Sequence, residues 1–216
     1  MAELAVIGMG QFGRAVARSL VREGQAVLAI DLDGERLLRI EHEVDAVEQT
    51  DTTDEGQVAA LKLDRMACVV VAIGVLGAEA SLLTVAILKE LGVPRIVARC
   101  FDRRHGRLLL AIGANEVLNP EEESGAQLAS RLVRPGILDQ MAFGDVRVAE
   151  VEAPESFAGG SLADLDLRGR YGVTVVAVQR GDGVSANPEP TEVLASGDVL
   201  VLLGTDSAIR EVAALR

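Results

Sequence analysis

The chain has 216 residues, of which 49% are hydrophobic and only 2% aromatic, and its formal net charge is −12. This length suits one domain of ordinary size followed by a smaller one, and an aliphatic core suits strands that are buried on both faces. The acidic charge argues against nucleic-acid binding, which usually needs a basic face, and against attraction to an anionic lipid surface.

The first thirty residues predict a nucleotide-binding β-α-β unit. An apolar run of strand length is followed at residue 8 by Gly-x-Gly-x-x-Gly, then by a helical pattern and a second apolar strand that Asp31 closes. In this arrangement Gly8 allows a tight turn, Gly10 lets the backbone approach a pyrophosphate, and Gly13 lets the helix pack against the sheet. We expect the helix N-terminus to hold phosphates and Asp31 to bind ribose hydroxyls. A glycine-rich turn without a ligand is the simpler alternative.

Strands and helices then alternate as far as about residue 133. We predict helices at 34–43, 57–62, 79–91, 103–112 and 120–133, and strands at 46–48, 67–73, 95–100 and 116–118. Six β/α units in series predict a doubly wound parallel sheet with strand order 3-2-1-4-5-6, the Rossmann arrangement. The ligand crevice of such a sheet lies at the carboxyl ends of its strands, where Asp31, Asp51, Thr52 and Gly74 fall.

The pattern changes after about residue 140. We predict strands at 146–151, 173–178 and 199–203, a hairpin turn at 180–183 and a closing helix at 207–215. These elements predict a small α+β module of mainly antiparallel strands. The expected domains are therefore residues 1–136 and 140–216, separated at the break that Pro135 and Gly136 make after the long helix.

Few residues offer enzyme chemistry. Hydride transfer needs an acid or base beside the cofactor, but His42 and His105 fall on predicted helices, away from strand ends, and we expect both in solvent. Cys68 and Cys100 lie in or beside apolar strands, so we expect buried, reduced thiols. The sequence has no apolar run of membrane-spanning length and no pattern typical of a signal peptide, which favours a cytoplasmic protein.

A set of short motifs recurs in order along both predicted domains. They are residues 8–13, Asp31, 50–53, 79–92, 96–99 and 113–117 in the first domain, and 162–167, 171–173 and 196–200 in the second. In these motifs the sequence resembles the RCK family, the regulators of K+ conductance, and most closely the two-domain regulatory subunits of bacterial K+ uptake systems of the KtrA and TrkA type.

The resemblance implies a cytosolic gating subunit without enzyme activity. Such subunits form homodimers, which can assemble into rings, and they dock at the inner face of the membrane on a K+-translocating subunit of the KtrB or TrkH type. A nicotinamide-dependent oxidoreductase, NAD(P)-linked, and a stand-alone nucleotide-sensing dimer are the alternatives.

The resemblance also implies roles for individual residues. It assigns Gly8, Gly10, Gln11, Phe12 and Gly13 to phosphates, Asp31 to the ribose, Asp51 with Thr52 to the adenine side, and Arg99 to the phosphate or ribose side. An ion pair at the end of a strand is an equally good explanation of Arg99.

The identity of the ligand stays open between ATP or ADP and NAD(H). ATP-responsive members of the family often carry arginine where this chain has Gln11, and glutamine has no charge with which to hold a γ-phosphate. Glu121 aligns with an acid that helps to bind a cation in some members, although an acid in the first turn of a helix also opposes the helix dipole. In related proteins the C-terminal module can bind c-di-AMP.

Overall fold

The computed structural model describes residues 3–133 and 136–215, and it divides into two compact units, Met1–Glu122 and Glu123–Arg216. Within the described residues, no helix is long and apolar enough to cross a membrane. The domain limits at 136 and 140 stay a prediction, because the division between the units falls inside a helix, at residue 122.

The first unit is built on a six-stranded parallel sheet. Its strands are β1 Leu4–Ile7, β2 Val27–Asp31, β3 Ala46–Gln49, β4 Cys68–Val71, β5 Ile96–Arg99 and β6 Glu116–Leu118. Their order is β3-β2-β1-β4-β5-β6, with every neighbouring pair parallel, which confirms the predicted doubly wound sheet. The helices are α1 Gln11–Arg22, α2 Gly34–Leu38, α3 Glu55–Ala60, α4 Ala78–Glu90, α5 Arg103–Ile112 and α6 Pro120–Val133, of which α6 begins in this unit.

Aliphatic side chains form the core on both faces of this sheet. All five residues of β2 are buried, and separate apolar clusters lie against the two faces, which explains why the central strands β1, β2 and β4 are apolar along most of their length. Cys100 is buried and Cys68 is half-buried, where burial raises the pKa of the Cys68 thiol. Cys100 is therefore buried as predicted, whereas Cys68 is only partly buried.

Aspartates start three of the helices in this unit. Asp33, Asp54 and Asp102 accept hydrogen bonds from backbone N–H groups two or three residues later, and such caps contribute about 1 kcal/mol each. Helix α2 is much shorter than predicted, because the chain leaves the helix after Leu38 and buries Ile40 in the core through a tight turn.

The second unit holds a five-stranded antiparallel sheet, which confirms the predicted class of module. Its strands are β7 Ile137–Phe143, β8 Val146–Glu152, β9 Thr174–Arg180, β10 Gly183–Ala186 and β11 Val199–Thr205, in the order β10-β9-β11-β8-β7. Its shorter helices are α7 Leu162–Leu165, α8 Leu167–Tyr171 and α9 Asp206–Ala213. Sequence analysis missed β7, and its predicted break at Pro135 lies outside the described residues.

An ion pair with a buried carboxylate joins the end of β9 to the turn before β11. The carboxylate of Asp198 is 1% exposed and accepts two hydrogen bonds from Arg180, at 2.8 and 2.6 Å, and a third from the backbone N–H of Ala195. The Arg180 guanidinium holds the pKa of Asp198 below its usual range. This pairing explains why an acid stands in the turn before β11.

Candidate functional site

The glycine loop between β1 and α1 combines two tightly packed positions with one open position. Gly8 has a φ of +95°, and a Cβ there would lie 3.0 Å from the backbone of Ala72. A Cβ at Gly13 would lie 1.9 Å from the carbonyl oxygen of Gly8, so α1 packs directly against the strand end. At Gly10 a Cβ would meet no atom within 4 Å. The loop therefore leaves space at the N-terminus of α1, where unpaired N–H groups favour an anion.

Asp31 lies at the end of β2 and is 6% exposed. Its Oδ2 accepts a hydrogen bond from the backbone N–H of Met9, and its Oδ1 accepts one from the backbone N–H of Asp33 at 2.9 Å. The Arg36 guanidinium lies 3.7 Å from Oδ2. The acid expected to bind ribose thus also fastens the glycine loop to β2, a role that sequence analysis missed. Each carboxylate oxygen can accept more than one hydrogen bond, so binding to ribose is compatible with this role.

The loop after β3 is held by its own side chains and by α4. Asp51 Oδ1 accepts hydrogen bonds from the backbone and hydroxyl of Thr53, which lower the pKa of Asp51. The hydroxyl of Thr52 is buried and lies 2.8 Å from that of Thr84 on α4. A contact with an adenine ring from this loop would therefore come from Asp51 or from the backbone.

Three predicted residues meet beside the glycine loop. Arg99, at the end of β5, places its guanidinium carbon 5.5 Å from the centre of the Phe12 ring and forms an ion pair with Glu121 in the first turn of α6. Gln11 is exposed next to them, and Gly74, after β4, has open space around its Cα. A cation and an aromatic ring therefore border the loop on the β5 side.

The cation proposed at Glu121 stays a prediction. The carboxylate of Glu121 forms an ion pair with Arg99. Among residues 3–133 and 136–215, no group of three or more histidine, cysteine, aspartate or glutamate side chains is arranged to hold a metal ion.

His105 is buried, so the expectation that it lies in solvent is wrong. It stands in the first turn of α5, is 5% exposed, and stacks on Phe101 with ring centres 4.2 Å apart. Burial lowers the pKa of His105, against opposing effects of the Ala78 backbone and Asp102. The sequence did not reveal this because the burial depends on the packing of α5 against α4. His42 is exposed, as expected.

The stability of the first unit is expected to fall as the pH drops below about 6.5, the ordinary pKa of histidine. The unfolded chain then binds a proton that folded His105 binds only at lower pH, so protonation favours unfolding. The urea concentration at the unfolding midpoint should be measured at several pH values. As the pH falls, this midpoint should decrease less for His105→Leu than for wild type, whereas it should decrease as much for His42→Leu as for wild type. Identical pH profiles for all three proteins would contradict the assignment.

Comparison with protein families gives a match to each unit. Residues 4–120 match the TrkA-N domain and residues 146–216 match the TrkA-C domain. The chain is 35% identical over 204 residues to the Ktr system potassium uptake protein C of Bacillus subtilis (strain 168), covering 94% of this chain and 92% of the relative. It is 32% identical to the Ktr system potassium uptake protein A of Vibrio alginolyticus, with the same coverage of each chain.

Solved structures share the fold at lower sequence identity. The GsuK channel superposes with a TM-score of 0.72 at 22% identity over 99% of this chain and 39% of the channel chain. The GsuK channel bound to NAD gives a TM-score of 0.65 at 21% identity, over 96% of this chain and 38% of that one. This chain therefore spans less than half the length of those channel chains.

Proposed function

The chain belongs to the family of Ktr-type potassium uptake proteins that join a TrkA-N to a TrkA-C domain, and from that we propose that it is a nucleotide-binding gating subunit of a K+ uptake system. The observation that carries the proposal is the 35% identity to a Ktr system protein over nearly the whole length of both chains. The chain has a regulatory role in K+ transport, and its expected partner is a membrane K+-translocating subunit of the KtrB or TrkH type.

The proposed ligand is an adenine nucleotide in the crevice beside the glycine loop. Gly8, Gly10, Gln11, Phe12 and Gly13 would hold its phosphates. Asp31 would bind the ribose, Asp51 and Thr52 would border the adenine, and Gly74 and Arg99 would border the crevice at the ends of β4 and β5. Structures of GsuK bound to NAD and to ADP support this class of ligand.

Regulation would follow from a difference in affinity between two states of an assembly. A ligand shifts such an equilibrium only as far as it binds one state more tightly than the other. We propose that a homodimer, assembled into a ring, is the unit that responds, at the inner face of the membrane beside its partner. A cation at Glu121 and c-di-AMP at the C-terminal domain stay predictions.

We propose regulation in preference to catalysis, because the Ktr relatives are potassium uptake proteins. Burial also removes His105 from use as an exposed acid or base. Formation of reduced nicotinamide on incubation with NAD and a panel of alcohols and hydroxy acids would overturn this choice.

The proposal is tested by identifying and then weakening the ligand. Mass spectrometry of the small molecule released from purified protein should find ATP, ADP or NAD(H). Replacing Asp31 by alanine should weaken binding of that molecule about ten-fold or more, because a hydrogen bond to a charged group contributes about 1.5–3 kcal/mol. Titration calorimetry measures this change.

Asp64→Ala is the matched control for Asp31→Ala. Asp64 is an exposed acid in the short 3-10 turn Leu63–Arg65. This turn precedes β4, so it lies at the amino ends of the parallel strands, whereas the crevice lies at their carboxyl ends. Its replacement should leave the affinity unchanged. If Asp31→Ala binds the nucleotide as tightly as wild type does, the ribose assignment fails.

A further inference from the structure

Positive charge near the glycine loop is mostly neutralised by carboxylates. On α1, Arg18 pairs with Glu43 at 2.6 Å. Two further arginines pair in the same way: Arg36 with Asp31 and Asp33, at 3.7 and 3.3 Å, and Arg99 with Glu121. These three cations are therefore only partly available to an anionic ligand.

Arg14 differs from these arginines. It lies in the first turn of α1, is partly buried, and donates from Nη1 to the carbonyl oxygen of Met9 at 2.7 Å. Within the described ranges, residues 3–133 and 136–215, it forms no ion pair with a carboxylate. In a chain with 33 acidic and 21 basic side chains, this arginine keeps an uncompensated charge beside a loop suited to anions.

The Met9 contact fixes where that charge lies. Met9 belongs to the glycine loop, and its backbone N–H donates to Asp31. The Arg14 guanidinium therefore binds a segment of backbone that Asp31 already holds in place. A guanidinium has five N–H donors, and the contact with Met9 occupies one of them. Gly10, the next residue, faces open space. Gln11 carries no charge, so the loop itself supplies no cation.

We propose that Arg14 binds the phosphate chain of the nucleotide and makes the affinity of this chain increase with the number of phosphate charges. This inference rests on the proposed function and adds a residue that determines ligand specificity. A helix N-terminus contributes only a partial positive charge, whereas a guanidinium carries a full one and forms the shorter, stronger hydrogen bonds of an ionised donor. Arg14 thus supplies the cation that position 11 lacks.

Calorimetry with ATP, ADP, AMP, NADH and adenosine on the full chain tests the proposal. Arg14→Ala should weaken ATP binding about ten-fold or more, the scale of one hydrogen bond to a charged group. The loss should decrease through ADP to AMP and should be absent for adenosine. Arg14→Lys keeps the charge and should recover part of the loss. Arg18→Ala, one turn further along α1, should bind every ligand as wild type does.

In Arg14→Ala, a loss of affinity that decreases from ATP to adenosine would show that Arg14 binds phosphate charge. It would exclude a role in which Arg14 only holds the loop in place. If Arg14 only braced Met9, Arg14→Ala would weaken all ligands equally, adenosine included, and that result would overturn the proposal. Affinities that do not change in Arg14→Ala, with wild type binding nucleotides, would overturn it too and would leave the proposed function standing. Wild-type protein that binds none of the five ligands would overturn both.

Discussion

Replacing Gly10 by valine is expected to weaken nucleotide binding strongly and to leave the fold intact. The backbone at Gly10 has a φ of −65°, which any residue adopts, and a Cβ there would meet no atom of the protein within 4 Å. The added side chain would instead fill the space that a pyrophosphate needs. We expect a loss of affinity of about 100-fold or more, equivalent to about 2.8 kcal/mol.

Two measurements on the same preparation test this expectation. Calorimetry should show the lost binding, while the thermal unfolding midpoint without ligand should equal that of wild type. Gly10→Ala, with a smaller side chain, should lose less affinity than Gly10→Val. Normal nucleotide binding by Gly10→Val would show that the ligand does not approach this part of the loop.

Replacing Gly13 by alanine, in contrast to replacing Gly10, is expected to destabilise the fold strongly. Its Cβ would lie 1.9 Å from the carbonyl oxygen of Gly8 and 3.2 Å from the Ala72 Cβ, so α1 would have to move away from the sheet. Some dinucleotide-binding domains accept alanine at the third glycine, but the packing of α1 here leaves no space for it. We expect the free energy of unfolding to fall by about 3 kcal/mol.

Gly10→Ala, in the same loop, is the matched control for Gly13→Ala. Urea unfolding should give Gly10→Ala a midpoint close to that of wild type and Gly13→Ala a clearly lower one. Equal midpoints for the two variants would contradict the close packing of α1 on the strand end.

The sequence predicted the features that depend on local patterns. Apolar runs identified β1, β2 and β4, and glycine spacing placed the loop between β1 and α1, because both signals lie within a few neighbouring residues. The order of the strands followed from the handedness of β/α connections. For these reasons the architecture could be predicted without knowledge of any contact.

The features that sequence analysis missed depend on contacts between distant segments. The hydroxyl of Thr52 meets that of Thr84, thirty-two residues later, and the burial of His105 depends on how α5 packs against α4. Strand β7 was missed because its register shifts between Ile137 and Asp139, which interrupts the alternation that identifies a strand. No local pattern contains the contacts made by Thr52 and His105.

The hydrogen bond from the Met9 backbone to Asp31 has a consequence for how fast the site can exchange its ligand. Since the carboxylate already holds the glycine loop in place, little conformational entropy is lost when a nucleotide arrives, and little reordering slows its departure. A binding site assembled in advance would let the proposed gating subunit respond quickly when the nucleotide concentration changes.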